Sequence, residues 1–178
     1  MKYIIASDLH GSAFYAQKIV DIFDKEQADK LILLGDIYNH GPRNNLPKDY
    51  APMQVADILN AVKDKLIVIK GNCDSQVDTM ISQFDFIENA LLETAGKSVF
   101  LTHGHVYNKD NMPKTKFDAI IYGHFHTGFI EKIDGVLVAN AGSLSLPKNG
   151  TENSYILLED GKLFLKNLDG KEIAVEKI

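Results

Sequence analysis

The 178-residue chain has a single cysteine, Cys73, no tryptophan and five prolines, and no apolar stretch approaches the ~18 residues needed to cross a bilayer. One cysteine excludes an intramolecular disulfide and a thiolate-cluster zinc site, and it is compatible with a reducing compartment. The apolar N-terminal run Tyr3-Ile4-Ile5-Ala6 stops before Asp8, short of the ~7 to 15 residues of a signal-peptide core. Basic residues are in the minority, 19 against 24 acidic, so the net charge of −5 opposes long nucleic acid and anionic membrane surfaces. These features predict a cytoplasmic protein with no membrane partner. The remaining composition, 45% apolar and 24% charged, excludes collagen-like, low-complexity and disordered classes and predicts one packed domain over residues 1–178.

In the first half, β-rich runs alternate with helical patterns. Strands at 2–7 and 30–34 flank a helix at 12–25, whose apolar positions Phe14, Ile19, Val20, Ile22 and Phe23 recur at near-helical spacing behind an N-cap at Ser12. This is a βαβ pattern. Residues 36–50 form a polar connection longer than the ~2 to 6 residues usual between such elements. A second helix at 52–62, with proline at its start, leads into a buried strand at 66–69, and a short helix is predicted at 77–81. The second half reads as strands at 98–102, 119–122, 128–133, 136–140, 155–158, 162–168 and 172–178, with Asp134-Gly135 and Asp160-Gly161 as hairpin turns. A parallel half followed by an antiparallel half, with no linker or repeat, predicts an α/β fold of two packed sheets with helices outside.

The chemistry concentrates at strand ends. Five of the six histidines fall in Asp8-Leu9-His10, Thr102-His103-Gly104-His105 and Gly123-His124-Phe125-His126, and the loops Gly35-Asp36 and Gly71-Asn72-Cys73-Asp74 follow apolar strands in the same way. In open α/β sheets, loops leaving the carboxyl ends of strands converge on one crevice. A lone pair of this kind is a weak signal, because alternate residues of a strand share one solvated face. Five such loops in one small domain point to a metal site. The candidate ligands Asp8, His10, Asp36, Asn72, His103, His124 and His126 mix carboxylate, amide and imidazole donors. They are too many for one tetrahedral zinc and suit two divalent ions sharing a carboxylate, with manganese, iron and zinc all admissible.

In order and spacing these motifs resemble the calcineurin-like metallophosphoesterase superfamily over residues 8–147, and residues 35–44 and 71–75 resemble the bacterial YfcE-type phosphodiesterases. The resemblance implies a four-layer αββα sandwich, two packed mixed β-sheets flanked by helices, and a hydrolase acting on phosphate esters. It implies a first ion on Asp8, His10, Asp36 and His126 and a second on Asp36, Asn72, His103 and His124, with Asp36 bridging and a hydroxide between the ions as nucleophile. Manganese is expected first, with iron, zinc or nickel as alternatives.

The chain departs from the protein phosphatases of that superfamily at three positions. Asn39 stands where they carry an Asp, Cys73 where they carry the His that works with it as a general acid, and His40 where they carry a phosphate-binding Arg. An amide and a thiol of ordinary pKa ~8.5 are a poor proton-donor couple for an alkoxide, so the expected substrate is a small phosphodiester rather than a monoester. Asn72, Cys73, His40 and His105 are the candidate catalytic residues, and Asn39 and Arg43 the candidate substrate contacts. Cys73 reads equally as a small buried apolar residue, and His40 and Arg43 also read as a solvated loop. Phe125 reads as core packing ahead of a hydrophobic wall for an organic ester group, and residues 140–143 as a turn supporting the site. The rival reading is a protein-binding scaffold, as in a retromer subunit of similar fold with altered metal ligands, whereas all seven positions are filled here. A metallo-β-lactamase-like hydrolase requires an HxHxDH cluster, which this sequence does not contain. A homodimer or higher homo-oligomer is also expected.

Overall fold

Alternation of apolar side chains along short β-branched runs builds two sheets that share one interior. The computed structural model describes residues 1–178. Its elements are β1 (Lys2–Ala6), α1 (Ala13–Lys25), β2 (Lys30–Leu33), α2 (Pro52–Ala61), β3 (Leu66–Ile69), β4 (Phe86–Ile87), β5 (Ala90–Thr94) and β6 (Lys97–Leu101). They continue with β7 (Ala119–Tyr122), β8 (Phe129–Ile133), β9 (Val136–Asn140), β10 (Ser154–Glu159), β11 (Lys162–Asn167) and β12 (Glu172–Lys177). One sheet runs β12-β11-β10-β1-β2-β3-β4 and the other β5-β6-β7-β9-β8.

Strand period fixes which residues meet. In β1, Tyr3 and Ile5 point between the sheets, where they join Ile32, Leu34, Leu101, Ile121, Ala139, Ile156 and Leu158. Ile4 and Ala6 point outward with Leu31 and Leu33, and are covered by Ile19, Val20 and Phe23 of α1 and by Val55 and Leu59 of α2. Ser12 caps α1 as expected, its hydroxyl accepting the Tyr15 N–H at 3.3 Å. Proline opens α2, where its missing N–H is not required. On the far face of the second sheet, Phe100, Ile120, Tyr122 and Val138 are covered by Tyr107, Met112 and Phe117 from a run of turns across residues 104–118.

Two packed mixed sheets flanked by helices match the expected class, but the parallel-to-antiparallel switch does not separate the sheets. The C-terminal meander β10–β12 pairs antiparallel with β1 and extends the first sheet, because Ile156 and Leu158 complete the apolar layer begun by Tyr3 and Ile5. β4 and β5 were not anticipated: one has two residues, and the other is an edge strand with Leu91 and Glu93 exposed. The short helix expected at 77–81 is a 3-10 turn over Gln76–Met80, held by a capping box in which Ser75 N–H donates to Asp78 Oδ2 at 2.7 Å.

This topology positions the site. β1, β2 and β3 of one sheet and β6 and β7 of the other are each followed directly by a loop bearing candidate ligands. Two glycines let loops from different strands touch. A Cβ on Gly71 would collide with the carboxylate and amide of Asp36, and one on Gly123 would collide with Ser7 Oγ and lie 2.6 Å from Asp8 Oδ2. Gly123→Ala should therefore destabilise the protein by about 1–3 kcal/mol through overpacking, read as a lower urea midpoint at unchanged slope. A midpoint equal to that of the parent would contradict the close approach.

Candidate metal centre

Five of the seven candidate ligands, Asp8, His10, Asp36, His124 and His126, adopt φ between 50° and 64°. That left-handed region is rare for residues bearing a Cβ and persists only where surrounding contacts enforce it. Here they do. His10 N–H donates to Asp36 C=O at 2.8 Å, and His124 N–H donates to Asp8 Oδ2 at 2.9 Å. The hydroxyls of Ser143 and Ser145 both donate to Asp8 C=O at 2.9 Å. Asn140 donates through Nδ2 to Gly123 C=O at 2.7 Å and accepts the Gly142 N–H, so residues 140–145 buttress two ligand loops.

The side chains form two clusters on either side of Asp36. In the first, Asp8 Oδ1 lies 3.3 Å from His126 Nε2 and 3.6 Å from His10 Nε2, and the two imidazole nitrogens are 3.1 Å apart. In the second, His103 Nε2 lies 3.0 Å from Asn72 Oδ1 and 3.3 Å from His124 Nδ1. Asp36 turns Oδ2 toward His10 at 3.8 Å and Oδ1 toward His103 at 3.5 Å.

The donor chemistry fits divalent cations. His10, His103 and His126 each engage a backbone carbonyl through Nδ1 at 2.7 Å, those of Asn39, Leu34 and Leu146, which leaves each Nε2 lone pair facing a cluster. Asp8 Oδ1 is buried without a hydrogen-bond partner. Facing imidazole lone pairs around an orphaned carboxylate oxygen require a proton or a cation between them.

Asp74, in the Gly71–Asp74 loop, sets the loop geometry. Its buried carboxylate accepts the N–H groups of Asp36 and Gly71 on Oδ2, at 2.8 and 2.7 Å, and that of Ile37 on Oδ1 at 2.8 Å. Cys73 N–H donates back to Asp36 Oδ1 at 2.8 Å, so the Asp36 and Asn72 loops brace each other reciprocally.

Electrostatics follow from this crowding. Burial opposes ionisation of Asp8, but His10 and His126 outweigh it and hold the carboxyl well below its usual range. Burial likewise opposes charge on His103, yet Asp36 and Asp8 push it up to about 9. His124, desolvated and facing His103, drops to about 4. Burial, reinforced by Asp36, pushes the Cys73 thiol up to about 12, and burial raises Asp74 to about 6 despite its three N–H donors.

The remaining candidates are distributed unevenly. Asn39, Arg43, Asn72 and Cys73 line a cleft of about 690 Å³ together with His10, Asp36, His124 and His126. Cys73 Sγ also lies within 4.8 Å of ligand atoms of His10 and Asp36. Asn39 turns its side-chain oxygen onto the Gly41 N–H at 2.8 Å. His40 is not brought to the cleft: its ring packs edge-on against Tyr50 at 5.3 Å, and Nδ1 is buried without a partner. His105 is exposed, with its ring 5.4 Å from that of His103. Phe125 is 45% exposed rather than in the core, held edge-on to His124 at 5.1 Å. Lys148, a cleft residue that motif reading missed, carries no signal beyond lying just past the last motif.

Two outcomes test this geometry. Asp74→Ala strips three buried N–H groups of their acceptor and should cost roughly 3 kcal/mol or more and weaken manganese binding about 10- to 100-fold by calorimetry. Parental stability and affinity would contradict the bracing. The folded pKa of His103 lies above the ordinary 6.5, so the stability it contributes is full below that value and is lost as pH rises through about 9; His10 is raised also and acts in the same sense. Metal-free protein should therefore melt at lower temperature as pH rises from about 7 to about 9, while manganese affinity rises because binding displaces that proton. A melting temperature that climbs over this interval would contradict the assignment.

The calcineurin-like phosphoesterase superfamily domain model matches residues 1–161. Phosphodiesterase YfcE of Escherichia coli K12 is 39% identical over 180 residues, covering 99% of this chain and 97% of that protein. The solved structure of YfcE, described as a phosphoesterase from E. coli, superimposes with a TM-score of 0.96 at 38% identity, with both chains fully covered. Vps29 from Entamoeba histolytica, solved with zinc, shares the fold at a TM-score of 0.65 and 20% identity, covering 100% of this chain and 98% of that one. The ligand-bearing loops, the paired sheets and these likenesses together establish that the chain belongs to the calcineurin-like phosphoesterase superfamily.

Proposed function

We propose that this protein hydrolyses small phosphodiesters with the help of two divalent cations. The observation that carries the proposal is the carboxylate of Asp36, whose two oxygens face imidazoles of separate clusters, 3.8 Å from His10 and 3.5 Å from His103. Asp8, His10, His126 and Asp36 would hold one ion, and Asp36, Asn72, His103 and His124 the other. Manganese is the first choice for both. Such ions supply positive charge for phosphate oxygens and acidify water at neutral pH.

The protein's own groups set the substrate class. Asn39 spends its side-chain oxygen on a backbone N–H, and the Cys73 thiol, pushed up to about 12, is a weak acid. Neither is a strong proton donor to a departing alkoxide, which favours esters whose leaving group needs little protonation and disfavours alkyl monoesters. A diester also carries one negative charge fewer than a monoester dianion beside Asp8 and Asp36. Asn72 spans two tasks, presenting Oδ1 to His103 and Nδ2 to Cys73 Sγ at 3.4 Å.

Bis-p-nitrophenyl phosphate and p-nitrophenyl phosphate release the same chromophore and separate these alternatives. The proposal predicts manganese-dependent turnover of the diester above that of the monoester, reduced at least ~100-fold in Asp36→Ala. A monoester preference would overturn the substrate class, and inactivity with several loaded metals would favour a binding scaffold.

A further inference from the structure

The cleft is chemically lopsided. Of its twelve lining residues only Pro42 and Cys73 are weakly polar or apolar, and the cations are Arg43 and Lys148. Neither forms an ion pair with an acidic side chain.

Both cations are carried by segments fastened to the Asp8–His10–His126 side. Asn39 C=O accepts from His10 Nδ1, and the turn that follows is closed by Gly41 N–H on Asn39 Oδ1, by Asn44 N–H on Gly41 C=O at 3.2 Å and by Asn44 Nδ2 on His40 C=O at 2.8 Å. Arg43 sits within that turn. In the segment after residues 140–145, Leu146 C=O accepts from His126 Nδ1, Lys148 N–H donates to His126 C=O at 2.9 Å, and Thr151 donates to Lys148 C=O through N–H and hydroxyl at 3.0 and 2.8 Å. Each cation therefore stands a few residues from a backbone oxygen that orients a ligand of the first cluster. The His103–His124 side offers instead the exposed rings of Phe125 and His105.

A simple diester carries a single negative charge at the scissile phosphate, which two divalent cations would already meet, whereas the cleft adds the positive charges of Arg43 and Lys148. Building on the phosphodiesterase reading, we propose that the natural substrate carries a second phosphate on the arm lying over the Asp8–His10–His126 side, bound by the fork of Arg43 and the ammonium of Lys148. A cleft of about 690 Å³ has room for such an arm, within the size range of small-ligand sites.

Two chromogenic esters differing by one group provide the test: thymidine 5′-(p-nitrophenyl phosphate) and the same compound bearing a 3′-phosphate. With manganese, the parent protein should favour the 3′-phosphorylated ester about 10-fold in kcat/KM, mainly through KM, and lose that preference as salt rises. Lys148→Gln and Arg43→Gln should each reduce the preference about 3- to 10-fold, Lys148→Arg should retain it, and the double glutamine variant should abolish it. Equal kcat/KM values in the parent, or a preference surviving in the double variant, would overturn the proposal. Turnover of neither ester would count against the diesterase reading alone. Calorimetry with thymidine 3′,5′-bisphosphate and thymidine 5′-phosphate then decides the subsite: about 10-fold tighter binding of the bisphosphate, lost in the double variant, supports it, and equal affinities overturn it.

Discussion

A buried carboxylate at the joint between two sheets governs this structure. Asp36 leaves β2 of the first sheet, yet one of its oxygens faces His103, which leaves β6 of the second. A carboxylate so buried is tolerated only where donors or cations surround it. The neighbouring groups meet that requirement in layers: the Cys73 N–H on Oδ1, His10 and His103 on either side, and the Asp74 carboxylate gripping the Asp36 and Ile37 amides from behind. The absence of a Cβ at Gly71 is what allows the Asn72 loop to come close enough to take part.

The same constraint explains where strain is stored. Five candidate ligands in left-handed conformation cost roughly 1–3 kcal/mol each, and regular secondary structure cannot hold them. The two sheets share a close-packed interior from Tyr3 to Leu165, and the serine and asparagine side chains of residues 140–145 lock the Asp8 and Gly123 loops from below. The site is thus rigid at its base and open at its rim, where Arg43, Lys148, Phe125 and His105 are exposed. Rigidity suits metal-ligand geometry, and an open rim suits recognition of varied ester arms.

The convergence of ligand loops was legible because it depends on local signals: apolar strands ending in glycine-linked Asp, Asn or His. The assignment of strands to sheets was not, since whether Ile156 packs beside Ile5 or in the second sheet is decided by pairing across 151 residues of separation, as in Ile5 opposite Ile156. β4, with two residues, is too short for any periodic pattern. Asp74 follows Asn72 in a recognisable motif, but its acceptance of three N–H groups is a property of folded loops, not of residue type. His40 shows the converse. Its position suggested a phosphate contact, a proton donor or a solvated loop, and its ring packs edge-on against Tyr50 at 5.3 Å, outside the residues that line the cleft.

The proposed two-ion centre depends on Asp36 acting as a shared ligand. Titration of metal-free protein with manganese, followed by calorimetry and electron paramagnetic resonance, measures that directly. The account predicts two equivalents bound and an exchange-coupled spectrum that becomes uncoupled in Asp36→Asn. A single equivalent, or two ions with no coupling in the parent protein, would contradict it.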